Sequence, residues 1–159
     1  MDFFYPNLQN DMWRIFGLLF FHDKEHFLLP GKKAFHKEAL VEFLTDKGIA
    51  LYDTATSVRR LQDNASDKFL EVIEPTDIRL LLKQLPHCKA IVTTGQKATD
   101  IIRSQIEVKE PAVGESCPFE FEDRSLLLYR MPSSSRAYPL ALEKKANFYR
   151  LMLNELGIL

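Results

Sequence analysis

Lys89-Ala-Ile-Val-Thr-Thr-Gly-Gln-Lys-Ala-Thr-Asp-Ile-Ile-Arg-Ser-Gln105 is the stretch that decides the fold class. Lys89 to Thr93 is a β-branched run, Gly95 turns the chain, and the residues from about Gln96 to Gln105 follow a helical pattern. Strand, tight turn and helix in that order make one α/β unit. Upstream, Pro75-Thr-Asp opens a further helix with Thr76 as N-cap and Ile78, Leu81, Leu82 and Leu85 on one face; Pro86 and His87 end it. Downstream, residues 107–118 read as loop, and Phe119, Phe121 and Leu126 to Arg130 as two strands about the turn Glu122-Asp-Arg-Ser125. A last helix is predicted from about Pro139 to Leu156.

Toward the amino terminus, Asn10 to Phe21 places Met12, Trp13, Ile15, Phe16, Leu19 and Phe20 near the helical period, which predicts a buried helix. Lys33 to Asp46 repeats that period through Phe35, Ala39, Leu40, Phe43 and Leu44, with Gly48 as a left-handed stop. The apolar run Ile49 to Tyr52 predicts a short strand, and the polar stretch from Asp53 to Lys68 a site-forming loop. Helices alternating with short buried strands predict a three-layer α/β/α sandwich with a short, mostly parallel central sheet, whose ligands sit at the carboxyl ends of its strands.

A chain of 159 residues is expected to form a single domain over 1–159. The hydrophobic fraction of 46% is that of a folded globular chain, which argues against disorder. Ile15 to Phe21 is too short to span a bilayer and has no signal-peptide flanks, so a cytoplasmic location and no membrane partner are expected. Only Cys88 and Cys117 are present, which leaves neither a disulfide framework nor a four-cysteine metal site. His22 and His26 have metal-ligand spacing but lack a third ligand in a motif, Gly95-Gln-Lys-Ala lacks the P-loop ending, and no Gly-x-Ser-x-Gly elbow occurs. No metal and no cofactor are expected. The net charge of −1 argues against coating of nucleic acid by global attraction. A local basic face would require Arg59, Arg60, Arg130, Arg136, Lys144, Lys145 and Arg150 to converge.

Three segments carry a resemblance. They are Tyr5-Pro-Asn-Leu-Gln-Asn-Asp-Met-Trp13, Gly48-Ile-Ala-Leu-Tyr-Asp-Thr-Ala-Thr-Ser-Val-Arg-Arg60, and Met131-Pro-Ser-Ser-Ser-Arg-Ala137 followed by a helix with Glu143-Lys144. Between them lies the turn Thr93-Thr-Gly-Gln-Lys-Ala98. In order and approximate interval they resemble the uracil-DNA glycosylase superfamily, nearest its mismatch-specific and hypoxanthine-type branches, over nearly the whole chain. Two departures stand beside the likeness. The family's opening strand, with its glycine-proline motif, has no counterpart before Tyr5, so the resemblance implies a sheet short of its first strand. Thr94 also stands where the family often has Asn.

The resemblance implies a DNA-repair hydrolase that cuts the bond between a damaged or mismatched base and its sugar, acting on single- or double-stranded DNA. Such chemistry needs the nucleotide out of the stack, a flat wall for the base, an oriented water and support for charge leaving with the base. The roles implied are Asn10 as water-positioner, Asp53 as a second water-orienting or loop-bracing group, and Tyr5 and Thr94 for the base. Ser57, Arg59, Arg60, Ser133, Ser134, Ser135 and Arg136 would meet DNA, with Arg136 entering the gap left by the flipped nucleotide. Each residue also has a structural reading: Asn10 as a helix cap, Tyr5 as packing, Asp53 as a loop cap, the serines as a turn before a helix. The competing expectation for the whole chain is a catalytically inactive DNA-binding relative that has lost the first motif.

Overall fold

A computed structural model describes residues 5, 8–31, 33–52, 55–60 and 70–159, giving the backbone path alone for 55–60 and 70–75. The chain is a mixed α/β protein. Its elements in order are α1 (Met12–Phe21), α2 (Lys37–Lys47), β1 (Ala55–Arg60), β2 (Leu70–Pro75), α3 (Ile78–Gln84), β3 (Ala90–Thr94), α4 (Gln96–Gln105), β4 (Ser116–Phe121), β5 (Arg124–Met131) and α5 (Leu142–Glu155). Contacts group these into two compact units, one drawn from the chain up to Tyr52 and from Ser134 onward, the other from Asp53 to Ser133.

The second unit is built on β5. This strand runs parallel to β3 and antiparallel to β4, giving a three-stranded mixed sheet in the order β3-β5-β4. Among the described residues the expected parallel character is therefore met by β3 and β5 alone. Glu122 and Asp123 form the connection between β4 and β5, and a link that short can only fold a strand back antiparallel. Leu82, Ile102, Ile106, Val108, Phe119, Phe121, Leu126 and Leu128 form the core, so that α3 and α4 bury their apolar stripes with the sheet's alternating residues. Arg124 donates to the carbonyls of Leu82, Leu85 and Cys88 at 2.9–3.0 Å, tying the start of β5 to the end of α3 and the turn after it. The cap of α3 is Asp77, which accepts from the Leu80 N–H at 3.1 Å, and not the expected Thr76. Thr76 is buried and its carbonyl accepts from the side chain of Gln105.

Two other expectations are corrected. Residues 49–52 belong to no strand, and residues 55–60, expected as loop, form β1 paired antiparallel with β2. Thr56 and Val58 are β-branched, and pairing with the strong strand former Leu70-Glu-Val-Ile overrides the polar composition around them.

In the first unit, α1 is buried on nearly every side: Met12, Trp13, Ile15, Phe16, Gly17 and Leu19 are enclosed, with Trp13 at 0% exposure. It packs against α5, whose Ala146, Tyr149, Met152 and Leu153 form the facing stripe. Phe20 meets Phe43 of α2 edge to face at 4.9 Å, extending the core. The chain leaves α1 through His22 in the left-handed conformation. Helix α2 begins four residues later than the sequence pattern suggests. The Leu28–Phe35 bridge and the Phe27 carbonyl hold the chain extended up to His36, whose Nδ1 then accepts from the Ala39 N–H.

Candidate functional site

The first unit brings together two of the segments singled out in the sequence. Asn10 and Ser135 form an isolated antiparallel bridge. The Asp11 N–H donates to the Ser134 carbonyl at 2.7 Å, and the Arg136 N–H to the Gln9 carbonyl at 2.8 Å. Backbone bonds of this kind fix register between segments far apart in sequence. Asn10 closes the entry to α1: its Oδ1 accepts from the Met12 N–H at 2.9 Å, an Asx-type turn that occupies one of that oxygen's two lone pairs.

Below this bridge lies a carboxylate ringed by cations. Asp11 Oδ2 accepts from Lys145 Nζ at 3.2 Å, and Oδ1 from Arg136 Nε at 3.1 Å, with Arg14 Nη1 at 3.5 Å. The side chains of Lys145 and Asp11 are 1% and 7% exposed, whereas that of Arg136 is 48% exposed. Lys145 also donates to the Ser135 carbonyl at 2.9 Å, and Arg14 to the Leu8 and Asn10 carbonyls. Burial, and after it the neighbouring Arg136, lower the Arg14 pKa from its ordinary value, while Asp11 pulls it the other way. Of the three cations about this carboxylate, Arg136 is the exposed member.

The remaining candidates are distributed as follows. Ser133 is half-buried, Ser134 is 2% exposed so that its hydroxyl is enclosed, and Ser135 Oγ accepts from the Ala137 N–H at 3.2 Å, the bond of a serine turn. Tyr5 packs edge to face on Trp13 with ring centroids 5.8 Å apart, and its φ of 52° lies in a region that residues other than glycine seldom occupy. Thr94 ends β3 in the second unit. Its neighbour Thr93 is locked by a buried hydroxyl contact to Thr99 at 2.8 Å, and Gly95 takes the positive φ that turns β3 into α4. Asp53 lies outside the described residues; Ser57, Arg59 and Arg60 fall on β1, where only the backbone is described.

Three of the residues whose convergence a local basic face would require have partners within the fold. Lys145 is sealed inside the fold, since it lies on the apolar stripe of α5 with Tyr149 and Leu153. Arg130 donates to the Pro111 carbonyl and to Gln96, and Arg150 to Asn147. The sequence offers Lys145 only as a member of a basic face and gives Asp11, inside the first segment, no role. A lysine in register with a helix's apolar stripe is the signal that points to them.

Among the described residues no group of three or more His, Cys, Asp or Glu is placed to hold a metal ion. His22 caps α1, and His26 stacks on Phe21 at 3.7 Å. An open groove in the second unit is lined by Arg103, Glu107, Val108, Lys109, Cys117, Pro118 and Glu120, and none of the candidate residues lines it. No helix among the described residues is long and apolar enough to cross a membrane. Set against models of protein families, curated proteins and solved structures, the chain matches none.

Proposed function

We propose that this chain is a monofunctional DNA glycosylase of the uracil-DNA glycosylase type, hydrolysing the N-glycosidic bond of a flipped-out uracil or of another deaminated or mismatched base. On this reading the mixed sheet is part of a short three-layer α/β/α sandwich. The observation that carries the proposal is the bridge between Asn10 and Ser135, because it sets the segment assigned to water positioning beside the segment assigned to the duplex gap.

Arg136, half-exposed at the end of the serine loop, is suited to fill the space left by an extruded nucleotide or to meet its phosphates. Asn10 retains a lone pair on Oδ1 and an NH2 group with which to orient a water toward the sugar carbon. An amide is a poor base, so its contribution would be orientation and electrostatic support as the bond breaks and its electron pair leaves with the base. Water adds its oxygen to the sugar carbon, and its proton ends on the solvent or the departing base. Tyr5 is assigned to stacking and Thr94 to the base edge. Asp53 is retained for water orientation or loop bracing, and Ser57, Arg59 and Arg60 for phosphate. The location proposed is cytoplasmic.

One observation favours the second reading, an inactive DNA-binding relative: Asn10 already serves as an acceptor at the start of α1, a complete structural role. A base-release assay on labelled duplexes carrying uracil, hypoxanthine or thymine opposite guanine separates the two. Release that is lost in Asn10→Ala supports the glycosylase. Tight DNA binding with no release from any substrate supports the relative.

A further inference from the structure

We infer that Lys145 is a positioning residue for base release: its ammonium clamps the Asn10–Asp11 turn to the Ser134–Arg136 loop, so that the water-orienting amide and the gap-filling arginine share one rigid frame. The inference rests on the glycosylase reading. It names a residue that neither the sequence segments nor the resemblance includes.

Lysine is almost never fully buried unless paired, because removing an ammonium from water is costly. A Met at this position would fill similar volume on the apolar stripe of α5 without that cost, so stability alone gives little reason for a charge. The position is also electrostatically poor. Lys145 makes the first backbone bond of α5, to the Ala141 carbonyl, and so sits close to the helix end that disfavours cations. What the charge accomplishes is read from its two acceptors. One is the Asp11 carboxylate in the turn at the head of α1; the other is the Ser135 carbonyl in the opposite loop. No apolar side chain can bridge a carboxylate and a carbonyl on separate segments.

The clamp extends to both working groups. Asp11 follows Asn10 directly, so fixing its carboxylate limits how the Asn10 backbone can tilt; the same carboxylate orients the Arg136 guanidinium at 3.1 Å. Arg136 can leave Asp11 for the duplex while its backbone stays bonded to Gln9, because Asp11 keeps Lys145 and Arg14 as partners. Lys145 itself contacts neither DNA nor the reacting atoms on this reading, being enclosed.

The test compares the wild type with Lys145→Met and with the doubly neutral Asp11→Asn/Lys145→Met, which remains informative should the single variant fold poorly. Single-turnover base release at saturating protein, duplex affinity and amide exchange at Asp11 and Arg136 are measured on each. The expected result for folded Lys145→Met is a release rate lower by roughly 10- to 100-fold, the scale of a small misplacement of a reacting group, with affinity changed less than about threefold. The Asp11 and Arg136 amides should exchange faster while those of α4 keep their protection. A folded variant, single or double, that releases base at the wild-type rate overturns the inference, as does a loss that tracks only the fraction folded. A wild type inert on every substrate instead sinks the glycosylase reading and removes the positioning role with it.

Discussion

Lys145 Nζ and Asp11 Oδ2 lie 3.2 Å apart although 134 residues separate them in sequence, and both side chains are almost wholly withdrawn from solvent. The two halves of this pair are unequal. Asp11 has Arg136 and Arg14 as further partners, whereas the other acceptor of Lys145 is a neutral carbonyl. Asp11→Ala leaves a buried ammonium uncompensated and is expected to cost about 3–5 kcal/mol of folding stability. Lys145→Met should cost clearly less, and adding it to Asp11→Ala should restore part of the loss. Urea unfolding of the three variants measures this; equal losses in both single variants would refute the asymmetry.

Arg136 occupies the exposed side of the same carboxylate. Truncation to Ala is expected to change stability by no more than about 1 kcal/mol, as for other solvent-screened ion pairs. Base release from duplex should fall more than release from single strands, which present no gap to fill. Parallel rate measurements on the two substrates decide it, and equal losses would remove Arg136 from the gap.

The N-cap of α1 is Asp11, and at Asn10 the turn-forming and chemical roles can be separated by Ser, which makes the same turn more weakly but is too short to reach a water held by the amide. Asn10→Ser should keep part of the turn's stability and still slow release, whereas Asn10→Ala loses the one hydrogen bond, at about 1 kcal/mol, and should slow it as well. Full activity in the Ser variant would leave Asn10 a turn residue and nothing more.

Gly17 faces the backbone of the turn that follows α1. A Cβ there would lie 2.5 Å from the Asp23 carbonyl oxygen, so Gly17→Ala must push the turn away and should destabilise by about 1–3 kcal/mol despite alanine's better helix propensity. Gly48→Ala meets no atom within 4 Å and pays only for its φ of 69°, about 1 kcal/mol. Thermal unfolding should rank the Gly17 variant lower.

Tyr149 ties the alkaline limb of stability to the same unit. Burial, and then Tyr5, raise its pKa well above the ordinary value of 10.0. Above pH 10 the unfolded phenol gives up its proton while the folded one keeps it. The unfolded chain then binds fewer protons, so the contribution is complete below pH 10 and falls as pH rises, by up to about 1.4 kcal/mol per unit. In Tyr149→Phe the decline between pH 10 and 11.5 should be shallower by that amount. An unchanged slope would show that other groups set it.

Local order was the legible part of this fold. The run from β3 through Gly95 into α4 is read correctly because strand, turn and helix each follow from residues next to one another. The strand β1 was hidden because a polar composition says nothing about a partner ten or more residues away, and β2 supplies that partner. The neighbourhood of Asn10 and Arg136 follows from no periodicity at all; it was reached only through the order of segments in a family pattern. The Asp11–Lys145 pair is not legible because each alone looks like a solvated charge at a helix end, Lys145 counting at most toward a basic face. Tertiary contact alone makes them a pair.

Trp13 is the sole tryptophan of the chain, lies at 0% exposure, and stands two residues beyond Asp11 with Tyr5 against its ring. Its emission therefore reports on one place: the head of α1, beneath the bridged segments. The molecule carries an intrinsic fluorophore beside Tyr5 and the Asn10 turn, so a rearrangement of either can be followed by light without attaching a label.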